Sequence, residues 1–87
     1  MQYSEPLLKY RRKKKGQENV DYFKFDNGVL VHIITLSDDP TEQRPVREIG
    51  IYTRISAARE WLPDSLLIEP LTDEEVNKIL WEVHDEN

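Results

Sequence analysis

"VDYFKFDNGVLVHIITL", Val20 to Leu36, decides the fold of this chain. Two runs rich in β-branched and aromatic residues flank Asn27-Gly28, a pair that tolerates positive φ at both positions of a type I′ turn, so the stretch predicts a β-hairpin. With Asn27 and Gly28 as a two-residue loop, Asp26 faces Val29, Phe25 faces Leu30 and Phe23 faces His32. One side of the hairpin then carries Val20, Tyr22, Lys24, Val29, Val31, Ile33 and Thr35. The other carries Phe23, Phe25, Leu30, His32, Ile34 and Leu36. The second run is apolar on both sides, which predicts an interior strand with cover on each. The Phe-rich side is the expected main core.

Downstream, "REIGIYTRI" (Arg47 to Ile55) alternates Ile49, Ile51, Thr53 and Ile55 with Glu48, Gly50, Tyr52 and Arg54, the period of a half-buried strand. It is expected to offer an open edge, through which two copies would pair as a homodimer. The polar stretch from Ser37 to Pro45 reads as an exposed loop. "SAAREWL" begins with Ser56 as a cap and stops at Pro63, predicting a short helix, and "PDSLLIEP" reads as a connector. "LTDEEVNKILWEV" is the best helix: Thr72 and Glu75 make a capping box, Leu71 staples against Val76, and Val76, Ile79, Leu80 and Val83 form one apolar stripe. Residues 84–87 read as a frayed tail.

The opening segment has two readings. "EPLLKY" is either a further strand leading into a basic turn, or residues 1–19 form a mobile basic arm. The fold class predicted for 1–87 is a single α+β domain: a three- or four-stranded antiparallel β-meander with a short helix and a C-terminal amphipathic helix packed on one face.

Composition narrows the function. A domain of 87 residues has a thin margin of stability and room for one core. The absence of cysteine excludes disulfides, thiolate metal sites and cysteine nucleophiles, and favours a reducing compartment. No signal peptide follows the basic cluster, and the longest apolar run, Val29 to Leu36, is too short to span a bilayer. The expected location is therefore cytoplasmic, with no membrane partner. Charge is sorted along the chain: seven Lys/Arg stand against three Asp/Glu through residue 24, and one against nine from residue 60 onward. Such sorting bears on partners and on steering.

Candidate sites follow from that sorting. The basic loop comprises Lys9, Tyr10, Arg11, Arg12, Lys13, Lys14 and Lys15, where cations could neutralise phosphates and Tyr10 could stack a base. The ordinary reading is a solvated hairpin tip. The acidic C-terminal third fits a basic partner or a mimic of phosphates, but Asp73, Glu74 and Glu75 also stand where a helix dipole favours acids. Trp61, Leu66, Leu67 and Ile68 form a candidate apolar patch for a partner, with core packing as the ordinary alternative. His32 and His84 lack metal-ligand spacing, and each fits a hydrogen-bonded or exposed histidine. Glycines at 16, 28 and 50 alone cannot build a phosphate loop, and no serine sits in a nucleophile motif. The sequence therefore predicts no catalytic residues, no cofactor and no metal. It points to a non-enzymatic regulatory or accessory protein that binds another protein through segregated charge and an apolar patch. The alternative is a nucleic-acid-binding module that uses Arg11 to Lys15.

Overall fold

The computed structural model describes residues 1–37, 39, 41–53 and 60–86. Five strands, β1 (Arg11–Arg12), β2 (Val20–Lys24), β3 (Leu30–Thr35), β4 (Val46–Tyr52) and β5 (Ser65–Pro70), form one antiparallel meander in chain order. A 3₁₀ helix (Glu5–Tyr10) precedes β1, and helix α1 (Asp73–Asp85) follows β5. The class is α+β as the sequence predicts, with one more strand than its upper estimate.

The β2–β3 turn differs from the expected two-residue loop, and the difference propagates. Lys24 pairs with Leu30, Phe23 with Val31 and Tyr22 with His32, so the loop is Asp26-Asn27-Gly28. The Phe25 amide donates to the Val29 carbonyl and the Gly28 amide to the Phe25 carbonyl. Gly28 alone takes a left-handed conformation here, at φ 85°, which is the usual device of a three-residue hairpin. A register shift of one residue exchanges the faces of β3. Val31 and Ile33 therefore join Phe23 and Phe25 on the helix side, while His32 and Ile34 go to the opposite side with Tyr22. Because β3 is apolar on both sides, its pattern did not distinguish the two registers.

The helix-side layer is the core. Phe23, Phe25, Val31, Ile33 and Ile49 from the sheet meet Leu71, Val76, Leu80 and Val83 from the α1 end, with Tyr3, Leu7 and Tyr10 closing it from the N-terminal segment. Each fully buried Leu, Val or Phe contributes about 1.5–3 kcal/mol. Helix α1 starts at the anticipated box: the Glu75 amide donates to Thr72 Oγ1 and the Thr72 amide donates to Glu75 Oε1.

Further expectations are corrected. "EPLLKY" is not a strand. In a 3₁₀ helix residues three apart eclipse, so Leu7 and Tyr10 share one buried side, whereas a strand would send them to opposite faces. Nor are residues 2–10 an unanchored arm: Asp73 Oδ2 accepts from the Gln2 amide, Asn77 Oδ1 accepts from the Ser4 amide, and Asn77 Nδ2 donates to the Gln2 carbonyl. "SLLIEP" is strand β5 rather than a connector. The prolines around it mark strand ends, and Pro70 is tolerated because this strand lies at the sheet edge. It follows that β4, flanked by β3 and β5, is not the open edge. The expected helix from Ser56 falls largely on residues 54–59, outside the described residues, and Glu60–Trp61 form a turn. Helix α1 runs through Asp85, so His84 belongs to it and not to a frayed tail.

Asn27 joins the hairpin to the helix. Its Nδ2 donates to the carbonyls of Val83 and Glu86, and its Oδ1 accepts from the Val29 amide. Two carbonyls at the end of α1 are thereby satisfied by a residue from the opposite end of the core. Asn27→Ala is expected to lower stability by about 1–2 kcal/mol in urea unfolding. Asn27→Asp should be no better, although aspartate suits turns, because it loses the donor and sets a negative charge at the negative end of α1.

Candidate interaction surface

The side of the sheet turned away from α1 carries Val20, Tyr22 and Lys24 of β2, Leu30, His32 and Ile34 of β3, Val46, Glu48, Gly50 and Tyr52 of β4, and Leu66, Ile68 and Pro70 of β5. Leu36 continues the same side, its amide donating to the Val46 carbonyl. At its centre His32 is only 2% exposed. Its Nδ1 lies 2.6 Å from Tyr52 Oη and its Nε2 2.9 Å from Glu48 Oε2. Burial, followed by the nearby Tyr22 and Glu48, pushes the Tyr52 phenol up to about 12, so it stays protonated and available as a donor.

Gly50 makes this arrangement fit. A Cβ added there would fall 2.2 Å from His32 Cε1 and 2.6 Å from Nδ1, so the imidazole occupies the space a side chain would need. Trp61 packs over this centre, its ring centroid 5.3 Å from His32 and 6.1 Å from Tyr22. Its backbone is left-handed, φ 55°, an uncommon state for a bulky residue, yet the ring remains 44% exposed. On the same face Leu66 is 55%, Ile68 52% and Leu36 50% exposed, and Leu62, next to Trp61 in the chain, is 60% exposed. Of the four residues predicted for the apolar patch, Trp61, Leu66 and Ile68 share this face. Leu67 does not: side chains alternate along a strand, and Leu67 packs against the core beneath α1.

The predicted basic loop is dispersed by the fold. Tyr10 is buried, its ring edge-on to Phe25 and its hydroxyl 3.0 Å from His84 Nε2, so it has no free face for a base. Arg11 and Lys13 both bind Asp21 Oδ1, at 2.9 and 3.0 Å, and Tyr3 Oη donates to Asp21 Oδ2. Burial alone would raise the Asp21 carboxyl. The hydrogen bonds from Tyr3, Lys13 and Arg11 outweigh it and hold the group below its usual range. Arg12 donates to the carbonyls of Lys9 and Arg11. The Lys9 ammonium lies over the Tyr10 ring and the Lys14 ammonium over the Tyr22 ring, at 5.1 and 4.7 Å. The first turn of α1 is also engaged: Asp73 binds Arg47 and Glu75 binds Arg44. Arg11, Lys13 and Lys14 therefore turn to β2 rather than to the helix.

Among the described residues no group of three His, Asp or Glu gathers to hold a metal, and no helix is long and apolar enough to cross a membrane. A hollow of about 220 Å³ between Thr35, Glu42, Arg47 and Asp73 is lined by an Arg47 guanidinium that already binds Asp73, Thr35 and the Leu71 carbonyl. Sequence reasoning missed the His32–Tyr52–Glu48 cluster because its members meet only across the β3–β4 ladder. Glycine at 50, inside a strand pattern, was the signal available. No protein-family model, no curated protein and no solved structure matches this chain.

Two measurements follow. Gly50→Ala should cost about 2–4 kcal/mol in chemical denaturation, because it displaces the imidazole from both partners. Asp21, with its folded pKa below the ordinary 3.8, adds stability that is present above that value and is lost as pH falls through the lower folded one. Thermal melts from pH 6 downward should show Asp21→Asn destabilised relative to the parent near neutrality, with the two converging in acid.

Proposed function

We propose that this chain is a small non-enzymatic accessory or regulatory protein that binds another protein on the face of its sheet turned away from α1. The observation that carries the reading is the ring of half-exposed apolar side chains on that face, Trp61, Leu66, Ile68 and Leu36. A tryptophan held in an unfavourable backbone state above a rigid polar centre has the character of an interface anchor. The Lys14 and Lys24 side chains border the face along β2, so a partner with an apolar contact surface flanked by acidic residues complements it.

The rival, nucleic acid laid along Arg11 to Lys15, draws less support, because Arg11 and Lys13 share Asp21 and Tyr10 is buried.

Affinity recovery from native lysate should yield one stoichiometric partner with the parent chain. Trp61→Asn, which keeps a residue suited to left-handed backbone, should weaken that recovery about 30-fold, the loss of one strong anchor. Equal recovery with both chains, or none at any salt concentration, overturns the reading. Generic DNA and RNA should give no anisotropy shift at low salt. A steep, salt-sensitive shift abolished by combined Arg12→Ala, Lys14→Ala and Lys15→Ala would establish the rival instead.

A further inference from the structure

We infer that β5 pairs with β5 of a second copy of this chain, antiparallel about a two-fold axis at Leu67, to make one continuous ten-stranded sheet from two five-stranded ones. In an antiparallel ladder alternate residues direct both backbone groups to the same neighbour. The Leu71 amide donates to the Pro45 carbonyl. The odd-numbered residues of β5 therefore face β4, and the even-numbered ones, Leu66 and Ile68, turn their N–H and C=O groups outward. The two residues that bracket them offer no outward donor. Pro70 has no N–H, and the Asp64 amide is turned inward to the Ile51 carbonyl at 2.8 Å.

That leaves two outward donors and two outward acceptors, two residues apart, and this pattern is complementary to itself. With Leu67 on the axis, Leu66 meets Ile68 of the partner copy and Ile68 meets its Leu66. Every outward donor of both strands then finds an acceptor. A register centred on Leu66 or on Ile68 would have to use the Asp64 or the Pro70 carbonyl, and the latter already accepts from Arg44. The side chains agree with the backbone. On the face turned away from α1 the exposed Leu66 and Ile68 pack against each other across the axis. On the helix side Leu67 meets Leu67 and Glu69 meets Ser65, so no like charges oppose one another. No lysine stands on this strand from Ser65 to Pro70. Because the axis is perpendicular to the sheet, the two faces turned away from α1 lie on the same side. Self-association thus widens the face to which partner binding is assigned and does not depend on that assignment.

A single six-residue strand makes an interface at the small end of the specific range, so dissociation on the order of tens of micromolar is expected. Sedimentation velocity of the purified full chain, from about 10 to 500 µM, should show a monomer–dimer equilibrium. Ile68→Pro removes an amide that β4 does not use, and should abolish dimers while leaving the circular dichroism spectrum unchanged. Leu66→Lys and Ile68→Glu should each be monomeric alone. An equimolar mixture of the two should recover a heterodimer, because only this register sets the new ammonium opposite the new carboxylate. A parent chain that stays monomeric throughout overturns the inference. So do dimers indifferent to these substitutions, and a mixture that does not re-associate. None of these readouts involves a second protein, so their failure leaves the partner-recovery result standing on its own.

Discussion

The Asp26–Gly28 loop closes with Gly28 in the left-handed region, and the register it imposes assigns each side chain of β3 to one face of the sheet. From β3 the assignment passes through the ladder. Val31 aligns with Ile51, and Ile33 with Ile49 and then Leu67, so one apolar surface of constant composition faces α1. Asn27 secures the same loop to the last turn of that helix. Register and helix docking are therefore set by neighbouring residues of a single turn. A slip there would both expose Val31 and Ile33 and bury His32 against the Phe rings.

On the other face the constraint is polar. An imidazole in the middle of a sheet is tolerated because both ring nitrogens have partners and because Gly50 yields its own side-chain space. This rigid centre is what Trp61 rests on. The face around it stays apolar and half-covered, which separates it from the helix side, where the same residue types are fully enclosed. Charge follows a similar division of labour: Asp21 gathers cations at one edge, and Arg44 and Arg47 meet the acids that begin α1.

Much of this was legible in the order of residues, and the exceptions have physical causes. Helix α1 could be read because capping box, staple and apolar stripe all point to one start and one face. The hairpin could be located, but not its register, since β3 is apolar on both sides and Asn-Gly serves a three-residue loop as well as a two-residue one. Strand β5 was hidden by proline on each side and by three successive apolar residues that mask alternation. "EPLLKY" was ambiguous because Leu7 and Tyr10 are three apart, a spacing that becomes decisive only when the helix is of the tighter kind. For the candidate surface, Trp61, Leu66 and Ile68 stood out from composition alone. Leu67 was wrongly grouped with them, because adjacency in a strand means opposition in space. The basic run looked like a free surface because its counter-charge, Asp21, lies beyond the turn.

The tie between the first residues and α1 bears on the order in which a newly made chain acquires its shape. Gln2 and Ser4 are held by Asp73 and Asn77, more than 70 positions later. Hairpins can assemble in sequence as the polypeptide leaves the ribosome, since each joins neighbours. The phenylalanine side of that sheet nevertheless stays wet, and the opening segment has nowhere to dock, until α1 has emerged. Docking of α1, rather than strand pairing, is thus the step that encloses the sheet and fixes the opening segment.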